Sequence, residues 1–154
     1  MAEGPKNFFS ARSKALLEGG STLELLSLHP FERSPTIDET LEPDRDPATF
    51  RGWHLLGRLV IKEPAKREQM ITALQKGVDE SDGNVAACFW PRHGVRAISD
   101  DGRVLDLVIC FECASILVFE DREKTEIVTV TGSPERVLDQ LLSVAGIQLA
   151  EKSG

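Results

Sequence analysis

Residues 85–98 and 104–120 are two apolar stretches separated by Asp100-Asp101-Gly102. Asp-Gly between such runs is the strongest short-range signal for a β-hairpin, because glycine accepts the positive φ that a tight turn needs. A hairpin in this part of the chain constrains the fold more than any other feature. Its second arm, VLDLVICFECASILVF, is apolar at both parities, which predicts a strand buried on both faces or lying mid-sheet. Residues 124–131, KTEIVTVT, alternate as a half-exposed strand does, and 53–61, WHLLGRLVI, read as another strand.

Two helices complete the pattern. Pro64 suits a first helical turn, where its missing N–H costs nothing, and Met70, Ile71, Leu74 and Val78 line one side of a helix running to about residue 76. Ser133-Pro134-Glu135 is a helix start, with Ser133 as cap. Val137, Leu138, Leu141, Leu142 and Ala145 form that helix's apolar face, and Gly146 stops it. The order from residue 50 is β-α-β-β-β-α. The expected class is α+β: a mainly antiparallel sheet of four to five strands with two helices on one face, plus an irregular N-terminal segment.

That segment, 1–49, differs from the 50–150 core. The first 50 residues hold five of the eight prolines and nine acids against five bases. Residues 8–18 predict a short helix stopped by Gly19-Gly20. Residues 22–28 read as a strand ending at His29-Pro30, although Ser21 with Glu24 also fits a helix capping box. An acidic, proline-containing connection follows up to residue 50. With 154 residues in total, the expectation is one domain.

The formal net charge is −7 and no run of Lys or Arg occurs, which disfavours nucleic acid and anionic membrane surfaces as partners. No apolar run approaches the ~20 residues of a membrane span. MAEGPKNFFSARSKALLEGG lacks the apolar core of a secretion signal, so the expected compartment is the cytoplasm. The cysteines are Cys88, Cys110 and Cys113; an odd count argues against a disulfide scaffold and for free thiols in a reducing compartment.

Chemistry concentrates in CFWPRHG (88–94) and CFEC (110–113). Cys88, His93, Cys110 and Cys113 are four ligands in number and kind for tetrahedral zinc. Three readings compete: buried structural thiols, a zinc site, and a redox or nucleophilic thiol. If Asp101 and Gly102 are the central turn residues, His93 lies opposite Cys110 and Trp90 opposite Cys113, and the four ligands divide between the two faces of the sheet. A bulge at Pro91 would restore convergence. Arg92 and Arg96 either bind an anion near Gly94 or pair with Asp106 and Glu112 across the hairpin. Trp53 and Trp90 read as core or rim packing. His29 and His54 have no evident partners, and no phosphate loop, nucleophile elbow, HExxH or calcium loop is present.

The blocks LELLSLHP, FRGWHLLGRLVI, CFWPRHGVRAI, DLVICFEC and GSPERVLDQLLSVAGIQLA resemble a family of small uncharacterised bacterial proteins of planctomycete type, over about residues 23–150. The two cysteine-bearing blocks are the most specific part. The resemblance implies a free-standing unit to which residues 23–28 belong, and it brings no activity, cofactor or catalytic residue. Some similar proteins look exported, and this N-terminus departs from that. The functional expectation is a non-catalytic binding or protein-interaction domain. The alternative is a zinc or thiol site of Cys88, His93, Cys110 and Cys113. A third reading is a small hydrolase-like or anion-binding enzyme using His93 and the flanking arginines.

Overall fold

The structure is a computed structural model that describes residues 5–19, 22–33, 48–85 and 90–150, with the side chains of residues 32 and 33 outside the description. The chain order is α1 (Ala11–Gly19), β1 (Thr22–Arg33), β2 (Thr49–Phe50), β3 (Trp53–Val60), α2 (Pro64–Asp79), β4 (His93–Ile98), β5 (Val104–Cys110), β6 (Ser115–Glu120), β7 (Glu123–Thr129) and α3 (Glu135–Val144). The strands form one antiparallel sheet in the order β2-β3-β1-β4-β5-β6-β7.

This corrects the expected fold class. Seven strands and three helices replace four to five strands and two helices, and the sheet curls into half a barrel. Two local causes account for most of the difference. The apolar run 104–120 is two strands, because residues 111–114 form a tight turn with Ala114 at φ 58°. Both arms are apolar because each is central, paired on both sides. The second cause is β1, which inserts between β3 and β4 from the N-terminal segment, so that segment supplies a central strand.

The helices cover one face. Leu17 of α1, Met70, Leu74 and Val78 of α2, and Leu138, Leu141 and Leu142 of α3 share one core with Leu23, Leu25, Val95, Ala97, Leu105, Leu107, Ile109, Ile116 and Val118. The alternating strand residues build a smaller core on the opposite face: Leu26, Leu28, Phe50, Trp53, Val108 and Phe119. Curling of the sheet brings the β2–β3 tip over this second face. That tip is a two-residue turn with Arg51 at φ 49° and Gly52 at φ 88°, the type I′ geometry that suits the twist of paired strands.

The edges are covered in part. Lys6 bridges β7: its N–H donates to the Ile127 carbonyl (2.9 Å), and its carbonyl accepts from Thr129 N–H (2.7 Å). Glu126 of β7 accepts from Ser10 N–H (3.3 Å) and the Ser13 hydroxyl (2.9 Å), tying down the start of α1. Pro64 opens α2 as expected, and the helix continues to Asp79. At α3 the cap position is Pro134, not Ser133; the Ser133 hydroxyl turns instead to Glu80 (3.2 Å) and Thr131 (3.0 Å). No helix among the described residues is long and apolar enough to cross a membrane.

Candidate functional site

The hairpin between β4 and β5 sets the geometry of the candidate residues. Its loop has three residues, Asp100, Asp101 and Gly102, and only Gly102 (φ 86°) is left-handed. Ser99 and Arg103 pair outside it, Ser99 N–H donating to the Arg103 carbonyl (2.9 Å). A two-residue type I′ turn would need positive φ at Asp101 as well. The extra loop residue moves the register by one: His93 lies opposite Ile109, not Cys110. A slip of one residue exchanges faces. His93 therefore shares the helix-covered face with Val95, while Cys110 shares the other face with Asp106 and Val108.

His93 is buried, and its Nε2–H donates to Asp139 Oδ1 of α3 at 2.6 Å. Its ring meets Phe111 edge-on, centroids 5.3 Å apart, and Nδ1 is buried without a hydrogen bond. Ser27 sits directly across the β1–β4 ladder, but its hydroxyl donates to the Gln148 carbonyl (2.6 Å), which directs its proton away from the imidazole. Asp139 stands on the rim of a groove over the start of α3, lined by Gly132, Ser133, Glu135, Arg136 and Val137. Asp139→Ala leaves both ring nitrogens of a buried imidazole unpaired. It is expected to cost about 1–3 kcal/mol, read as a lowered urea midpoint.

Cys110 and Cys113 meet across the 111–114 turn. Their sulfurs lie at disulfide distance, with Cα atoms 5.2 Å apart. The Cys113 N–H also donates to Cys110 Sγ (3.2 Å). The reading of free thiols is thereby corrected for this pair: within one continuous strand the two sulfurs would face apart, and the turn brings them together. Cys88 lies outside the described residues. Among the described residues no group of three or more His, Cys, Asp or Glu side chains is arranged to hold a metal.

The two arginines enter ion pairs. Arg92 Nη1 donates to Glu112 at 2.8 Å, within the cysteine turn. Arg96 Nε donates to Asp106 Oδ1 at 2.8 Å, and its Nη2 to Oδ2 at 3.0 Å. A third arginine joins from the β2–β3 tip: Arg51 Nε donates to Asp106 Oδ2 at 2.8 Å, and its Nη2 donates to the Asp121 carbonyl in the β6–β7 turn. The side chains of Arg51, Asp106 and Arg96 are at most 3% exposed. Phe50 stacks beside Arg96 (5.2 Å) and Phe119 beside Arg51 (4.7 Å), enclosing the cluster between aromatic faces. Burial, and secondarily Arg96, push the Arg51 pKa down while Asp106 and Asp121 push it up; a guanidinium stays charged throughout at neutral pH.

Sequence reasoning missed Arg51. A signal existed in Asp106, a carboxylate inside VLDLVIC, which burial obliges to find cationic partners. Across the sheet Asp106 belongs to a row of alternating charge, with Arg96 between it and Glu24, which reaches Arg58 at 3.6 Å.

Trp53 is core, whereas Trp90 is 41% exposed and Phe31 57% exposed. Their rings meet at a tilt of 59°, centroids 5.9 Å apart, and His29 meets Phe31 edge-on at 6.2 Å. Phe31 is carried on the end of β1 that runs past the last β4 pair, Ser27 with His93. No protein-family model, curated protein or solved structure matches the chain.

Proposed function

We propose that this chain is a non-catalytic protein-interaction domain whose contact surface centres on Phe31 and Trp90. One observation carries the reading: two large aromatic side chains, each roughly half exposed, pack against each other at a tilt outside either core. Exposed aromatics in contact are the anchors that protein interfaces use, because they bury much area at little entropic cost. The polar groups of the candidate residues support it as well. Arg92, Arg96 and His93 Nε2 each engage a carboxylate, and the Ser27 hydroxyl engages a carbonyl, so these groups serve the fold. A net charge of −7 favours partners that are neutral or basic.

Selection of peptides from a random library on the wild-type chain tests this. Binders with apolar or aromatic anchors are expected. Their affinity should fall by at least ~30-fold when Phe31 and Trp90 are both changed to serine, the loss of about 2 kcal/mol that marks an interface hot spot. The melting temperature should change little, since both side chains lie outside the two cores and are roughly half exposed. Binders that do not respond to the double substitution would count against the surface.

A further inference from the structure

We infer that the Cys110–Cys113 turn is a dithiol–disulfide redox site, exchanging one electron pair with a dithiol of the reductant class. This is independent of the aromatic surface and rests on three observations. The first is placement. The two sulfurs meet at disulfide distance beneath a four-residue surface turn, whose Glu112 side chain is 37% exposed. The cysteines themselves are covered, so opening this turn, rather than the sheet, is what admits a thiol.

The second is redundancy. The link closes a loop with only two residues between the cysteines, the size for which a cross-link restricts the unfolded chain least. The same turn is already held by other contacts. Ala114 N–H donates to the Phe111 carbonyl (3.2 Å), the Ala114 carbonyl accepts from Val130 N–H (3.1 Å), and Glu112 pairs with Arg92. Six β5–β6 pairs from Cys110 with Ser115 to Leu105 with Glu120 keep the strands in register without it. A bond that adds little to the fold is free to open and close.

The third is direction. The Cys113 N–H points at Cys110 Sγ (3.2 Å), and a donated hydrogen bond stabilises a sulfur that gains negative charge. Cys110 is therefore the better leaving thiolate. An incoming thiolate attacks Cys113 Sγ, the Cys110–Cys113 bond breaks, and its electron pair goes to Cys110. The second thiolate of the reductant then attacks its own sulfur in the mixed disulfide and releases Cys113. The protein gains two electrons and two protons, and the reductant leaves as its cyclic disulfide.

The test equilibrates the folded full chain in buffers of reduced and oxidised dithiothreitol, quenches with an alkylating agent and maps the modified cysteines by mass. Cys110 and Cys113 are expected to pass together from fully protected to fully alkylated over a narrow range of buffer ratio. They should return on reoxidation, with circular dichroism unchanged throughout. Cys88→Ser should leave the transition where it is. With a monothiol in place of the dithiol, the trapped mixed disulfide should map to Cys113. Three results would overturn the inference: a pair that stays protected until the chain is denatured, which marks a structural clamp; a pair that is alkylated at every buffer ratio; or a transition that disappears with Cys88→Ser. A mixed disulfide trapped on Cys110 alone would overturn the assigned direction.

Discussion

Asp106→Ala is expected to lower stability by about 3–5 kcal/mol, the cost of breaking a buried ion cluster by removing one partner. The carboxylate is wholly buried and takes hydrogen bonds from Arg51 and Arg96. Without it, two guanidinium groups remain beneath Phe50 and Phe119 with their compensating charge gone. With a urea m-value of ~1–3 kcal/mol/M for a small domain, the unfolding midpoint should fall by roughly 2 M. Asp106→Asn should behave similarly, since it keeps the shape and removes the charge. The control is the triple change Arg51→Met, Asp106→Leu, Arg96→Met. Replacing a whole buried ion cluster by apolar groups is often neutral or stabilising, so the triple variant should recover most of the loss. A single substitution within ~1 kcal/mol of wild type would show that the cluster does not close the β2–β3 tip over the sheet.

The second large effect concerns Phe50. A Cβ added at Gly94 would stand 2.6 Å from Phe50 Cε2, so the ring lies against bare backbone. Phe50 also stacks beside Arg96 and belongs to the smaller core. Phe50→Ala should cost about 3–5 kcal/mol, the range for deleting a buried aromatic. Gly94→Ala should cost about 1–3 kcal/mol by forcing the ring from its seat. The informative variant carries both. With the ring gone, the methyl at residue 94 meets open space, so the double substitution should cost clearly less than the two singles added. Simple additivity in urea unfolding would refute the contact.

Both predictions fall on the face opposite the helices, the part of the molecule hardest to read from one dimension. Arg51 and Asp106 are far apart in the chain, and in the sheet two strands, β1 and β4, lie between β3 and β5, although only β4 lies between them in sequence. The curl then brings the tip of one hairpin onto the middle of another. No local pattern encodes that approach. The pairing of Arg96 with Asp106 across the hairpin was legible as one of two readings of that arginine, whereas nothing local pointed to Arg51 as the second cation.

At the candidate site the limit was smaller in size and equal in consequence. Asp-Gly correctly located the β4–β5 hairpin, but the loop takes three residues rather than two. Because strand side chains alternate with period two, that single residue separates His93 from Cys110 and gives His93 to Asp139 on α3. The apolar run through 104–120 hid a turn for a related reason. Two central strands joined by a short turn with Phe111 and Cys113 read as unbroken hydrophobicity. The closeness of Cys110 and Cys113 in space follows from that hidden turn.

The sequence by itself determined the elements whose cause is local: the hairpin at Asp100-Asp101-Gly102, the helix opened by Pro64, the amphipathic helix ended by Gly146, and the net charge of −7. Backbone propensity, proline geometry and charge act over a few residues and leave their mark in order along the chain. Tertiary structure alone decided the strand order, the insertion of β1, the enclosure of Arg51, Asp106 and Arg96, and the exposure of Phe31 beside Trp90. These depend on which faces of a curled sheet meet, and on burial that makes a charge seek partners wherever the fold brings them.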